Sequence, residues 1–241
     1  MFRTIFFIGI LLVTLSSCEY VLKNKDEVLA LQKKEITYDD FTYETDNLNH
    51  LVYLDKDRKR MNGHFIVKYN NKISEEFEVK SGLLNGFLKN YYPEGMISKV
   101  KNYSDGILEG NYETYFKDGK INKKGNYKNG KIVGELVSYN NEGVIVSKKK
   151  TVDGIEYHHM YEDGKMAISE FKKNIDGTVY DLIVRYDAFE NISLILGKRD
   201  YLENPNIIYV FNAQFELVET INIKEEPSKV AYYSKFLRPP N

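Results

Sequence analysis

Gly82-Leu-Leu-Asn-Gly86-Phe-Leu-Lys-Asn-Tyr91-Tyr92-Pro-Glu-Gly95 is followed 24 residues later by Gly106-Ile-Leu-Glu-Gly110-Asn-Tyr-Glu-Thr-Tyr115-Phe116-Lys-Asp-Gly119. The next 24-residue step brings Gly130-Lys-Ile-Val-Gly134-Glu-Leu-Val-Ser-Tyr139-Asn140-Asn-Glu-Gly143, and Gly154 keeps the interval once more. A fixed period of this size belongs to chains that stack one small structural unit. The unit is a β-hairpin. Asp105-Gly106, Asn129-Gly130 and Asp153-Gly154 are tight-turn dipeptides, because glycine takes a positive φ without steric cost. Glu94-Gly95, Asp118-Gly119, Glu142-Gly143 and Asp163-Gly164 mark the alternate turns. Gly86, Gly110 and Gly134 are assigned to the same set of turn and hairpin positions. Strand-like segments between turns predict an antiparallel meander.

Outward from these units the pattern loosens. Leu51-Val-Tyr-Leu54 reads as a strand, and Met61-Asn62-Gly63 introduces His64 to Tyr69, with Lys72 where later units carry a turn glycine. The unit that starts at Gly154 is three residues shorter, since Gly164 follows after ten residues rather than thirteen. Beyond Phe171 the glycines thin out. Val179–Tyr186 with Asn191–Leu196, and Ile207–Phe211 with Phe215–Ile221, still read as paired strands. Residues 172–241 are therefore expected to be β-hairpins closing the array, because a repeat array needs atypical ends over its last apolar face. Pro227, Pro239 and Pro240 suggest a loose tail. On the other side, Val21, Leu22, Val28, Leu29 and Leu31 fall at helical spacing, predicting a short helix or a tether within 19–36. Tyr38, Phe41 and Tyr43 hint at a strand.

The recurring Gly-x-x-x-Gly, Tyr-(Tyr/Phe)-x-x-Gly and a hydrophobic residue two positions on (Ile97, Ile121) resemble MORN repeats. The variant is the one found in bacterial proteins described as YwqK-type antitoxin components. The third unit departs from the motif at Asn140. The resemblance covers about residues 51–170. It implies an all-β, elongated meander of hairpin repeats serving as a binding or scaffolding part, with lipid or protein partners. The antitoxin description implies a toxin as partner.

The N-terminus supplies an address. Arg3 precedes an apolar run from Ile5 to Leu15, too short to span a bilayer and suited to an export signal. It ends in Leu15-Ser16-Ser17-Cys18, which resembles the bacterial lipobox; the resemblance implies cleavage before Cys18 and lipidation of that residue. Cys18 is the chain's one cysteine, so an internal disulfide is excluded. The expected organisation is a signal peptide at 1–17, a lipidated tether at 18–50, the repeat array at 51–171 and a C-terminal hairpin region at 172–241. Removing 1–17 takes away one charge, Arg3, leaving 33 basic against 35 acidic residues and a net charge of −2. That balance is no footprint for nucleic acid. Twenty tyrosines and thirteen phenylalanines favour strands.

Candidate chemistry is sparse. Tyr91, Tyr115 and Tyr139 share a repeat position and are expected to form a column, either a stacking platform for a ligand or a set of cross-strand contacts. Leu88, Tyr112 and Leu136 form a second column on the opposite face, read as packing. Lys99, Lys101, Lys123, Lys124 and Lys148–Lys150 lie on second strands, as a basic strip or as a solvated, aggregation-resistant surface. His158 and His159 are adjacent, so on a strand they point to opposite faces and do not share a metal. No nucleophile elbow or phosphate-binding loop is present. The sequence thus predicts no catalytic residue, metal or cofactor. It predicts a membrane-anchored lipoprotein at the cell envelope that binds a protein partner. The alternatives are an antitoxin or immunity-type protein, or a carbohydrate- or lipid-binding lipoprotein.

Overall fold

The computed structural model describes residues 32–199 and 206–234. The chain forms two compact units, one up to Glu109 and one from Gly110 onward. It is an all-β protein. Seventeen strands are described: β1 (Lys33–Thr37), β2 (Phe41–Thr45), β3 (Leu51–Asp55), β4 (Gly63–Tyr69), β5 (Lys72–Lys80), β6 (Leu83–Tyr91), β7 (Ile97–Ser104), β8 (Ile107–Tyr115) and β9 (Ile121–Lys128) come first. They continue with β10 (Lys131–Tyr139), β11 (Ile145–Val152), β12 (Ile155–Glu162), β13 (Lys165–Ile175), β14 (Thr178–Tyr186), β15 (Ile192–Lys198), β16 (Ile207–Phe211) and β17 (Leu217–Asn222), followed by helix α1 (Pro227–Ser234). Fifteen strands follow one another in a single sheet, in the order β1-β4-β5 and then consecutively to β17.

Two kinds of reversal build this meander. In the tight kind, both central residues have positive φ, as in Asp105 (48°) and Gly106 (81°). That geometry matches the twist of the flanking strands. It recurs at Ser81-Gly82, Asn129-Gly130 and Asp153-Gly154. Asn70-Asn71 makes the same turn without glycine, at 49° and 60°, so Lys72 is simply the first residue of β5. In the wider kind, the first loop residue donates its N–H to the carbonyl four positions on and accepts the N–H three positions on, as Tyr92 does with Met96 and Gly95. Phe116, Asn140, Asp187 and Asn212 head the same loop. The third loop residue after the head has positive φ: Gly95, Gly119 and Gly143, then Glu190 (62°) and Phe215 (64°).

This loop explains why the glycine period fades while the hairpins continue. Glu190 and Phe215 adopt a conformation that costs an ordinary residue about 1–2 kcal/mol. At both, the head residue compensates. Asp187 Oδ1 accepts the N–H of Phe189 and Asn191, and Asn212 Oδ1 accepts those of Gln214 and Glu216. Asn140, the departure from the repeat motif, makes the same pair of bonds to Glu142 and Val144. The short fifth unit has an equally local cause. Asp163-Gly164 is a tight turn (50° and 77°), not the wider loop expected from its place in the repeat, and Asp176-Gly177 is a further tight turn.

Gly86, Gly110 and Gly134 are not turns. They lie inside β6, β8 and β10 with φ of 114°, 88° and 73°. In β6, Leu88 lies opposite Phe77 but Leu84 lies opposite Val79, so the register slips at Gly86. The same slip surrounds Gly134, between Val133 and Val137. These are bulges, for which a glycine with positive φ is suited.

In the first unit, the core comprises Tyr53, Met61, Phe65, Val67, Phe77, Val79 and Leu84. It is partly covered by the two-stranded β2–β3 sheet: Phe41 stacks on Tyr53 at 6.0 Å, and Tyr53 meets Phe77 at 5.0 Å. Leu51–Leu54 is therefore a strand outside the main sheet rather than the array's first member. The main sheet starts instead at β1, which runs parallel to β4. Lys33–Ile36 is thus a strand and not helix; residues 19–31 of that expectation, like Cys18, lie outside the described residues.

The second unit buries both faces of β14–β16. Tyr180, Leu182, Val184, Ile195 and Phe211 pack together on one face, and Leu196, Ile208, Val210 and Ile221 on the other. Val230 and Tyr233 of α1 pack on the latter group. Pro227 opens this helix, where its missing N–H costs nothing, so it marks a helix start rather than a loose tail. Between Leu84 and Ala167, Leu136 is the one buried hydrophobic side chain among the described residues. It lies over Gly125, where a Cβ would sit 2.8 Å from Leu136 Cδ1. The clean repeats are held mainly by strand pairing, and the substantial cores sit with β3–β6 and β13–β17.

Two glycines of the 24-residue series separate strain from crowding. At Gly154 (φ 79°) a Cβ meets nothing within 4 Å, whereas at Gly82 (φ 81°) it lies 2.8 Å from Val52 Cγ1 and 3.1 Å from the Tyr53 carbonyl oxygen. Gly154→Ala should cost about 1–2 kcal/mol, from the backbone conformation alone. Gly82→Ala should cost roughly 1–3 kcal/mol more, from overpacking. Urea unfolding of both variants measures this; equal losses contradict the packing assigned to Gly82.

Candidate functional site

The densest polar constellation lies in the first unit, around Glu76. Glu76 is buried, with 6% of the residue exposed. Oε1 lies 2.7 Å from His64 Nε2 and accepts from Lys33 Nζ at 3.1 Å. Oε2 accepts from the Tyr91 hydroxyl at 2.8 Å and lies 3.5 Å from Lys89 Nζ. The Phe87 ring meets His64 edge-on at 5.2 Å, and Lys89 sits over that ring at 4.1 Å. The bulge at Gly86 makes room for the rest: a Cβ there would lie 1.9 Å from Glu78 Oε2. Glu78 in turn stands 3.9 Å from His64 Nδ1.

Burial by itself raises the pKa of Glu76. The hydrogen bonds from Tyr91, Lys33 and His64, with the charge of Lys89, outweigh it and hold the carboxyl at about 2. Burial, then the hydrogen bond to Glu76 and its charge, pushes the Tyr91 phenol up to about 12. The neighbouring Glu75 goes the other way, raised by burial, and accepts a bond from Asn90 Nδ2 at 3.1 Å. Two carboxyls with diverging pKa values in one cleft suggest acid–base chemistry. Here they are consecutive on a strand and face opposite sides of the sheet. Glu76 is contacted by side chains from β1, β4 and β6, so the arrangement works as a clip across four strands.

The second feature is a groove of about 730 Å³ on the sheet of the second unit. Cross-strand pairing aligns Lys149, His158, Glu170, Ile183 and Leu196 in one row, and Lys172, Asp181 and Lys198 in another. One end is apolar, formed by Ile183, Leu196 and Ile208; the other carries both signs of charge. Lys172 pairs with Asp181 at 3.2 Å, His158 with Glu170 at 3.3 Å and Lys149 with Glu156 at 4.0 Å. Among the described residues, Lys198 has no such partner.

The residues singled out from sequence are dispersed. Tyr91 belongs to the Glu76 clip. Tyr115 donates its hydroxyl to Glu113, and Lys124 lies over the Tyr139 ring at 5.6 Å. Tyr91 and Tyr139 thus make cross-strand contacts, while the Tyr115 contact stays within β8; all three engage the protein's own charged side chains. Of the packing column, Leu88 supports the first core, Tyr112 meets Tyr127 at 5.6 Å and Leu136 is buried. The lysines make no single strip: Lys148 lies opposite His159 and Lys149 opposite His158, so neighbours face opposite sides. Lys148 is bound to Glu135 at 3.1 Å, and Lys101 has its pKa lowered by burial and by Lys99. The two histidines diverge as alternation requires, His158 toward Glu170 and His159 toward Ser169 Oγ at 2.6 Å. Burial and the charge of Lys150 lower the pKa of His159. Among the described residues, no group of three or more His, Cys, Asp or Glu is placed to hold a metal ion. Glu76, His64 and Lys33 escape sequence reading because their contacts span 12 to 43 positions. No protein-family model matches this chain, and no curated protein matches it.

The folded-state pKa of Glu76 lies below its ordinary 4.5, so its contribution is complete above about pH 4.5 and is lost as pH falls toward 2. That contribution is on the order of 3 kcal/mol. The stability gap between the native chain and Glu76→Gln, from urea unfolding at pH 6.5, 4 and 2.5, should shrink across that window. A gap independent of pH contradicts the assignment.

Proposed function

We propose that this chain is an exported lipoprotein, held to a membrane of the cell envelope through lipid on Cys18, and that its hairpin sheet is a binding or scaffolding module for a protein partner. The observation that carries the reading is the join in the sequence. A positive residue, a short apolar run and Leu15-Ser-Ser-Cys18, bearing the only cysteine, precede a meander of hairpins whose first described strand begins at Lys33. Two or more acyl chains give stable anchoring where one gives marginal binding.

The character of the sheet supports a binding role. Its most elaborate polar cluster is engaged in joining strands, with Glu76 accepting bonds from Lys33 and Tyr91 and contacting His64. The second unit offers a surface groove of a size suited to a ligand or a short segment of a partner. The net charge of −2 for the chain from Cys18 directs the search toward proteins and the membrane and away from nucleic acid.

Cys18→Ala should abolish incorporation of radiolabelled fatty acid and release the protein from the membrane fraction. Unchanged labelling and unchanged membrane retention overturn the anchor. Crosslinking of the anchored protein in its host, followed by affinity capture, should yield a defined protein partner; recovery of the uncrosslinked chain alone counts against the binding role.

A further inference from the structure

We infer that the groove over β11–β16 is a peptide-docking site, and that it takes an extended segment of a partner protein in which an apolar side chain stands beside an acidic one. This rests on the protein-binding reading above and assigns it a place and a chemistry.

Three observations select the occupant. The first is the division of the groove. Ile183, Leu196 and Ile208 make an apolar end, while Lys149, Glu156, His158, Glu170 and Lys172 present donors and acceptors of both signs at the other. A lipid tail would satisfy the first end and leave the second unused. A peptide brings apolar side chains, N–H groups and carbonyls, and matches both. The second observation is charge. Each acidic side chain of the groove has a partner within it: Lys149 with Glu156 and Lys172 with Asp181 as ion pairs, and His158 with Glu170 through a contact of 3.3 Å that is ionic only when the imidazole is protonated. Among the described residues, Lys198 is left over. It lies opposite Asp181 in register, but Asp181 already holds Lys172. The unmatched cation is two residues along β15 from Leu196, so a carboxylate bound there belongs to a residue next to the one seated on Leu196. The third is length. The row from Lys149 to Leu196 crosses five strands, and four steps of roughly 4.8 Å span about 19 Å, or about six residues of extended chain. The segment lies across the strands, held by side chains, and does not extend the sheet edge.

The test uses the mature lipidated protein in detergent and dye-labelled hexapeptides of serine and glycine carrying Leu-Asp, Leu-Lys or Ser-Asp, read by fluorescence anisotropy. The Leu-Asp peptide should bind saturably, at least tenfold more tightly than the other two. Lys198→Glu, a change at an exposed side chain, should reverse the order of Leu-Asp and Leu-Lys, and Ile183→Asp should remove binding of both. Absence of saturable binding by any peptide overturns the proposal, and so does a Lys198→Glu variant with the original preference. Binding that emerges only when Phe236 and Leu237 are both changed to serine assigns the groove to the chain's own C-terminal segment and overturns it as well. A partner crosslinked in the host at sites outside the groove sinks this inference while leaving the binding role intact; no partner at all sinks both.

Discussion

The structure depends on a backbone constraint: at nearly every described reversal of the main sheet the chain enters the left-handed region of φ. Tight turns need two such residues and the wider loops need one. Right-twisted strands can be joined this closely only by turns of that hand. Glycine satisfies the demand most simply, which is why it recurs at a fixed interval. Asn70-Asn71, and the loops headed by Asp187 and Asn212, satisfy it by other means. In those loops a side-chain oxygen gathers two backbone N–H groups and steadies a residue that would otherwise resist the conformation. The period belongs to the turn, and the glycine is its commonest but not its only carrier.

Strict alternation along each strand then decides which groups meet. Glu75 and Glu76 are neighbours in sequence and strangers in space, one driven toward the neutral form by burial and the other held ionised by donors. Lys148 and Lys149 divide between two faces, as do His158 and His159. Ile195 and Leu196 enter two separate clusters. A run of like residues on a strand is therefore never one patch. The rows that do form run across strands, joining positions such as Lys149 with His158 and Asp181 with Lys198, and the groove of the second unit is made of two such rows.

Much of this was legible from local sequence. Turn dipeptides, hairpin pairing from Val179 to Ile221 and the strand at Phe41–Thr45 all follow from chemistry within a few residues. The structure departs from local expectation where one residue type serves more than one use. Gly86 and Gly134 looked like turn residues and are bulges, one of them roofed by Glu78. Pro227 suggests a loose tail and instead opens a helix. Lys33–Ile36 looked like the end of a helix and pairs in parallel with β4, because an open edge strand offers more hydrogen bonds than an isolated turn of helix.

The sequence by itself determined the hairpin unit, its period and the all-β class, because each is written in turn residues whose φ preferences act locally. It also carries the lipobox-like Leu15–Cys18, a signal read in one dimension. Only the tertiary structure decided that Lys33, His64, Lys89 and Tyr91 converge on one buried carboxylate. It alone decided that the clean repeats run with scarcely a buried side chain among the described residues, and that Lys198 has no ion-pair partner among them, two positions along β15 from Leu196. These depend on register across strands, and register is the sum of every turn and bulge between the residues that meet.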